Sequence, residues 1–126
     1  MSVKAKYQSV LDLGEQLGAK DGKVYEENGV LKIKGTVKDQ YEKDILWDKI
    51  KAVGGENPSD ILANIIVEDT SVYHRHEVQS GESLSKISKH YYGDPMKYNA
   101  IFEANRNILD NPDLIKPGQV LVIPNL

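Results

Sequence analysis

Cysteine is absent from the 126 residues, which removes disulfide staples, thiol nucleophiles and zinc–thiolate sites together. A fold this small without staples must hold itself by packing. Tryptophan and phenylalanine occur once each and histidine three times, so chemistry that depends on clustered aromatics or imidazoles has few residues to draw on. Strong charge of either sign is missing too. The net charge is -3, too mild and of the wrong sign for binding nucleic acid by phosphate neutralisation, and no nucleic-acid partner is expected. No apolar run approaches the roughly 20 residues that span a bilayer, so membrane insertion is not expected. Met1-Ser2-Val3-Lys4-Ala5-Lys6-Tyr7 does not lead into a continuous apolar segment, so no signal peptide is read there and a cytoplasmic location is expected.

What is present divides in two. Residues 1–72 carry 10 Lys and no Arg against 13 Asp and Glu, a balance of -3, whereas residues 73–126 carry 6 basic and 6 acidic residues, a balance of zero. In the first part, Tyr7, Val10, Leu11, Leu13 and Leu17 recur at three- and four-residue spacings and predict one amphipathic helix over Lys4–Leu17. Gly14 weakens that helix and Gly18 stops it. Asn28-Gly29 predicts a tight hairpin, because both residues tolerate positive φ, and the flanking alternation predicts two strands with one wet face. Asp39–Val53 returns to helical period, with Tyr41, Ile45, Leu46, Ile50 and Val53 on one face and Trp47 at its edge, and Gly54-Gly55 ends it. Ile61–Val67 is a strand. The first part, residues 1–70, is therefore α-β-β-α-β.

Glu68-Asp69-Thr70-Ser71 is a short polar link. Beyond it, His74–Val78 alternates as a strand, and Ser80-Gly81-Glu82 turns into a helix with Leu84, Ile87 and Tyr91 inward. Asp94 and Pro95 start another helix as N-cap and first residue, with Tyr98, Ile101 and Phe102 as its apolar stripe. Val120–Ile123 is the last strand. Residues 71–126 are β-α-α-β, and the fold class is α+β throughout.

Nothing here assembles a nucleophile, a base and an orienting group, so no enzymatic activity is expected. His74 and His76 share a strand face as half a metal site, but no third ligand is apparent, and both are expected as exposed strand residues. His90 is expected on a helix surface. No phosphate-cradling loop is present, since Gly54-Gly55 lacks the required spacing.

The second part resembles the LysM family. The resemblance is carried by His76-Glu77-Val78-Gln79-Ser80-Gly81-Glu82-Ser83-Leu84-Ser85-Lys86-Ile87, Tyr92-Gly93-Asp94, Ile101-Phe102-Glu103-Ala104-Asn105 and Ile115-Lys116-Pro117-Gly118-Gln119-Val120-Leu121-Val122-Ile123-Pro124. It implies two helices packed on one side of a two-stranded antiparallel sheet. It also implies binding of N-acetylglucosamine glycans such as peptidoglycan or chitin, in a groove formed by Gly81, Glu82, Ser83 and Leu84 with Asn111, Asp113, Leu114 and Ile115. The first part resembles a BON domain, on Glu27-Asn28-Gly29-Val30-Leu31-Lys32-Ile33-Lys34-Gly35-Thr36-Val37 and on its element order.

The two in this order resemble the bacterial cytoplasmic potassium-binding proteins that join BON and LysM. That resemblance implies a potassium ligand and no other cofactor, in a monomer. A large monovalent cation favours backbone carbonyls, and the glycine turns at Gly18, Gly54 and Gly55 are candidate sources. A protein-interaction adaptor is the third reading.

Overall fold

A computed structural model describes residues 2–126, which divide into two compact units at Thr70/Ser71.

The first unit opens with α1 (Val3–Lys6) and α2 (Gln8–Gln16) in place of a single helix. The break falls at Tyr7, whose φ of -99° and ψ of 20° leave the helical region. Its side chain is fully buried, and its hydroxyl donates to Asp60 Oδ1 at 2.5 Å, so the chain bends to seat the one aromatic that the helix must place inward. Strands β1 (Lys20–Glu27) and β2 (Val30–Val37) form the hairpin, with Asn28 and Gly29 both at positive φ. Asp39 caps α3 (Gln40–Gly54) by accepting from the Glu42 amide, and Glu42 in return accepts from the Lys38 amide. Because α3 crosses back over the sheet, β3 (Ile61–Val67) pairs parallel to β2, in the order β1-β2-β3. Leu31, Val37, Ile61 and Ile65 of the inner sheet face pack with Tyr7, Val10, Leu46 and Ile50.

The hairpin departs from the expected single wet face. Every residue of β1 is exposed, including Val24, which pairs with the inward Ile33. The buried core residues of the sheet lie on β2 and β3, and a bulge between Lys20 and Lys23, with Asp21 at φ 54°, turns the start of β1 aside.

The second unit is β-α-α-β as expected. Strand β4 (His74–Glu77) pairs antiparallel with β5 (Val120–Ile123), with His76 opposite Leu121. Ser83 caps α4 (Leu84–Tyr92), which ends at left-handed Gly93. Asp94 accepts from the Met96 amide to start a short 3-10 turn, Pro95–Lys97, that runs into α5 (Tyr98–Ala104). Val78, Leu84, Ile87, Ile101, Leu109, Leu121 and Ile123 form the core. No helix among the described residues is long and apolar enough to cross a membrane.

Candidate functional site: the groove between two loops of the second unit

Three polar staples fix the frame around this groove. Asn105 is almost completely buried at the end of α5. Its Nδ2 donates to the carbonyls of Ile101 and Val122, and its Oδ1 accepts from the Val122 amide. The side-chain amide thus takes the place of a neighbouring strand against β5. It satisfies backbone groups that a two-stranded sheet would otherwise leave bare. Ser88, also buried, donates to the Asp94 carbonyl at 2.6 Å. The Tyr92 hydroxyl donates to the Pro124 carbonyl, and burial of the phenol pushes its pKa up to about 12.

The loop entering α4 is held by Glu82. One carboxylate oxygen, Oε1, accepts from the Gln79 amide at 2.5 Å and meets His76 Nε2 at 2.8 Å. The other nitrogen of that imidazole, Nδ1, lies 2.7 Å from the Tyr91 hydroxyl. Burial pushes the Glu82 carboxyl up, but the Gln79 amide and the His76 ring outweigh it and leave the group below the ordinary carboxylate range. The strand histidines are therefore not exposed surface residues. His76 and His74 are half-buried, with ring centroids 5.4 and 5.5 Å from that of Tyr91. Their place on the strand face that meets α4 is the reason, and the period-2 pattern could not show which face that was. His90 is exposed, with its ring 4.7 Å from Tyr91.

Residues of both loops named above line one cleft. Glu82, Ser83 and Leu84 face Asp113 and Ile115 across a cleft of about 410 Å³, together with Ser85, Tyr98 and Pro112. The remaining expected residues lie elsewhere. Leu114 projects to solvent at 64% exposure and does not line the cleft, so of the pair Leu114 and Ile115 only Ile115 faces it. Asn111 serves the turn, accepting from the Asp113 amide through Oδ1 and from the Leu114 amide through its carbonyl. Gly81, at φ 85°, supplies the left-handed turn residue, and its carbonyl accepts from Lys86 Nζ.

Tyr98 corrects the sequence reading. At i−3 from Ile101 and i−4 from Phe102 it was expected in the apolar stripe, yet it is exposed and lines the cleft. The helix expected from Pro95 opens instead as a 3-10 turn, so the α-helical period begins only at Tyr98.

The glycines expected to offer carbonyls occupy two sites in the first unit. Gly18, at φ 73°, follows α2 and donates its amide to Glu15. Gly55, at φ 89°, ends α3 and donates to Lys51. Both stand at helix C-termini, where carbonyls carry partial negative charge. Gly54 differs, because it is the last residue of α3 and its missing side chain is filled. A Cβ there would lie 2.1 Å from the Tyr7 hydroxyl and 2.9 Å from Pro58 Cβ.

A family model for the LysM domain matches residues 76–124. An uncharacterized protein of Deinococcus radiodurans is 40% identical over 105 residues, covering 73% of this chain and 40% of that protein. The potassium binding protein Kbp of Escherichia coli O6:H1 is 60% identical over 47 residues, covering 37% of this chain and 32% of that protein. The matches thus take in less than half of either relative's own length. Residues 76–124 are a LysM domain, in a chain that resembles the potassium binding protein Kbp.

Proposed function

We propose that this is a non-enzymatic binding protein whose ligand is the potassium ion, with a BON-like unit preceding the LysM domain. The observation that carries the reading is the 60% identity to a protein named for potassium binding. The hairpin, crossover helix and parallel third strand of the first unit support it. Gly18 and Gly55 stand at helix C-termini, where unpaired carbonyls are the ligand type that a weakly hydrated monovalent cation favours. The test is thermal unfolding in potassium chloride against sodium chloride at equal ionic strength. A ligand confined to the folded state stabilises it by about 2.7 kcal/mol at a hundredfold excess over its dissociation constant. A chain of this size should then melt several degrees higher in potassium. Equal melting in both salts over a wide concentration range would remove the reading.

A second reading is favoured by the cleft itself. An N-acetylglucosamine oligomer would lie between the Glu82–Ser85 and Pro112–Ile115 loops, one sugar face against Tyr98 or Ile115, with loop backbone groups meeting the acetamido group. Glu82 would act by holding its loop, since its carboxylate already accepts from Gln79 and faces His76. Titration with chitotetraose, followed at the amides of residues 82–85 and 112–115, tests it. Saturable shifts there that are lost in Tyr98→Ala support the glycan; their absence at millimolar sugar discards it.

A further inference from the structure

The two edges of the first unit's sheet differ. In the order β1-β2-β3, β1 and β3 each have one side without a neighbouring strand. Such an edge offers bare amides and carbonyls to any extended chain, and proteins blunt it with charge, bulges or proline. The β1 edge is blunted: the strand carries Lys20, Asp21, Lys23, Glu26 and Glu27 and is bulged between Lys20 and Lys23. The β3 edge is not. Ile61-Leu62-Ala63-Asn64-Ile65-Ile66-Val67 includes no charge and no proline, and it pairs with β2 in an unbroken register. The ladder with β2 decides which groups stay bare. The Leu31 amide donates to the Asp60 carbonyl and the Glu68 amide donates to the Val37 carbonyl, so the even-numbered residues turn their backbone groups toward β2. Ile61, Ala63, Ile65 and Val67 turn theirs outward. Among the described residues these outward amides and carbonyls meet no hydrogen-bond partner.

That edge is self-complementary. Leu62 and Ile66, 61% and 41% exposed on the sheet face away from the core, stand symmetrically on either side of Asn64. An antiparallel strand of the same sequence, centred on Asn64, sets Leu62 opposite Ile66 and Asn64 opposite its own copy. It also sets Ala63 opposite Ile65 and Ile61 opposite Val67, the residues with bare backbone groups, so those groups fall into hydrogen-bonded pairs. No charge is set opposite a like charge. We propose that β3 pairs antiparallel with β3 of a second copy of this chain, about a two-fold axis at Asn64, to make one continuous sheet. Growth stops there, because the other edge of each sheet, β1, is blunted, and the assembly closes as a dimer. The strand pair alone covers little surface, which sets the dimer at the weak end of specific interfaces. The monomer expected from the family resemblance is then the dilute form.

The test is sedimentation of the full chain from micromolar to millimolar concentration, with residue-resolved hydrogen exchange on dilute and concentrated samples. The expected result is a mass that rises with concentration from 14.1 kDa toward twice that value. Amide protection should rise with it at Ile61, Ala63, Ile65 and Val67, and not at Leu62, Asn64 and Ile66, whose amides already face β2. Asn64 is exposed, so Asn64→Lys and Asn64→Glu leave the core intact, yet each sets like charges opposite across the axis and should weaken the dimer about tenfold. An equimolar mixture of the two variants should restore it, because Lys then faces Glu. Leu62→Ser gives the weakened dimer should either charge variant fail to fold. A chain that stays monomeric at millimolar concentration would overturn the proposal. So would protection of the odd-numbered amides that is independent of concentration, since the edge would then be covered within one chain. A dimer unchanged by the folded Asn64 variants, or a mixture that does not restore it, would overturn it as well.

Discussion

The two units meet the same shortage, a small core without staples, in different ways. The LysM domain buries as many core side chains and adds directed polar contacts: Asn105 to both backbone groups of Val122, Glu82 to Gln79 and His76, Ser88 to Asp94, Tyr92 to Pro124. The first unit relies on aliphatic packing around Tyr7, Leu31 and Ile50, leaves β1 uncovered, and keeps a cavity beside its core. Polar staples fix a geometry that tolerates little change. Aliphatic packing leaves volume that can be adjusted. The comparison predicts where each unit breaks.

The largest effect is expected at Asn105. Asn105→Ala leaves two carbonyls and one amide unpaired in the LysM core, and should cost about 3 kcal/mol. Hydrogen exchange resolved by residue reads this as lost protection at Val122 and Ile101; a change below about 1 kcal/mol would show that the staple is dispensable.

Gly54→Ala comes next, in the first unit. Its Cβ would collide with the Tyr7 hydroxyl, and overpacking of this kind costs about 2 kcal/mol. Tyr7→Phe removes the colliding oxygen, so the double variant should recover part of that loss. Fluorescence of Trp47, the single tryptophan and a neighbour of this core, follows the first unit directly.

Titration acts on both units at both ends of the pH range. Glu82 is depressed below an ordinary carboxylate, near 4.5, because its folded partners favour the charged form. Its contribution is complete above that value and is lost as pH falls through the depressed folded-state range. Glu82→Gln should flatten this acid dependence in the LysM domain. In the first unit Asp60 behaves the same way, held down by Lys6 and then by Tyr7. Burial pushes the Tyr7 and Tyr92 phenols from 10.0 up to about 12. Their contributions persist below pH 10 and are lost as pH climbs from 10 through 12. An ultraviolet titration should lose one late tyrosine in Tyr7→Phe and another in Tyr92→Phe.

The smallest effect has the opposite sign. Gly14→Ala fits the helix at 4.0 Å from Leu46, and should stabilise the first unit by at most about 1 kcal/mol.

Legibility in the sequence follows the same division. The LysM motif is a string of residues with fixed steric and capping duties, so Gly81, Gly93 and Asp94 could be placed in turns and caps, whereas the pairing of the two loops came from the family resemblance. The Asn28-Gly29 hairpin was legible for the same local reason. Three features were not, because they depend on residues distant in sequence. The break at Tyr7 needs Asp60, the burial of His76 needs Glu82 and Tyr91, and the openness of β1 depends on where α2 comes to rest. Periodicity also cannot show where a 3-10 turn replaces the α-helix, as at Pro95–Lys97, so Tyr98 was placed inward.

The binding claim is tested most directly by one titration of the labelled chain with potassium chloride in a sodium chloride background of constant total ionic strength. The account predicts saturable amide shifts, largest around Gly18 or Gly55, that lithium or further sodium does not reproduce. Amide positions that stay unchanged as potassium replaces sodium would contradict it.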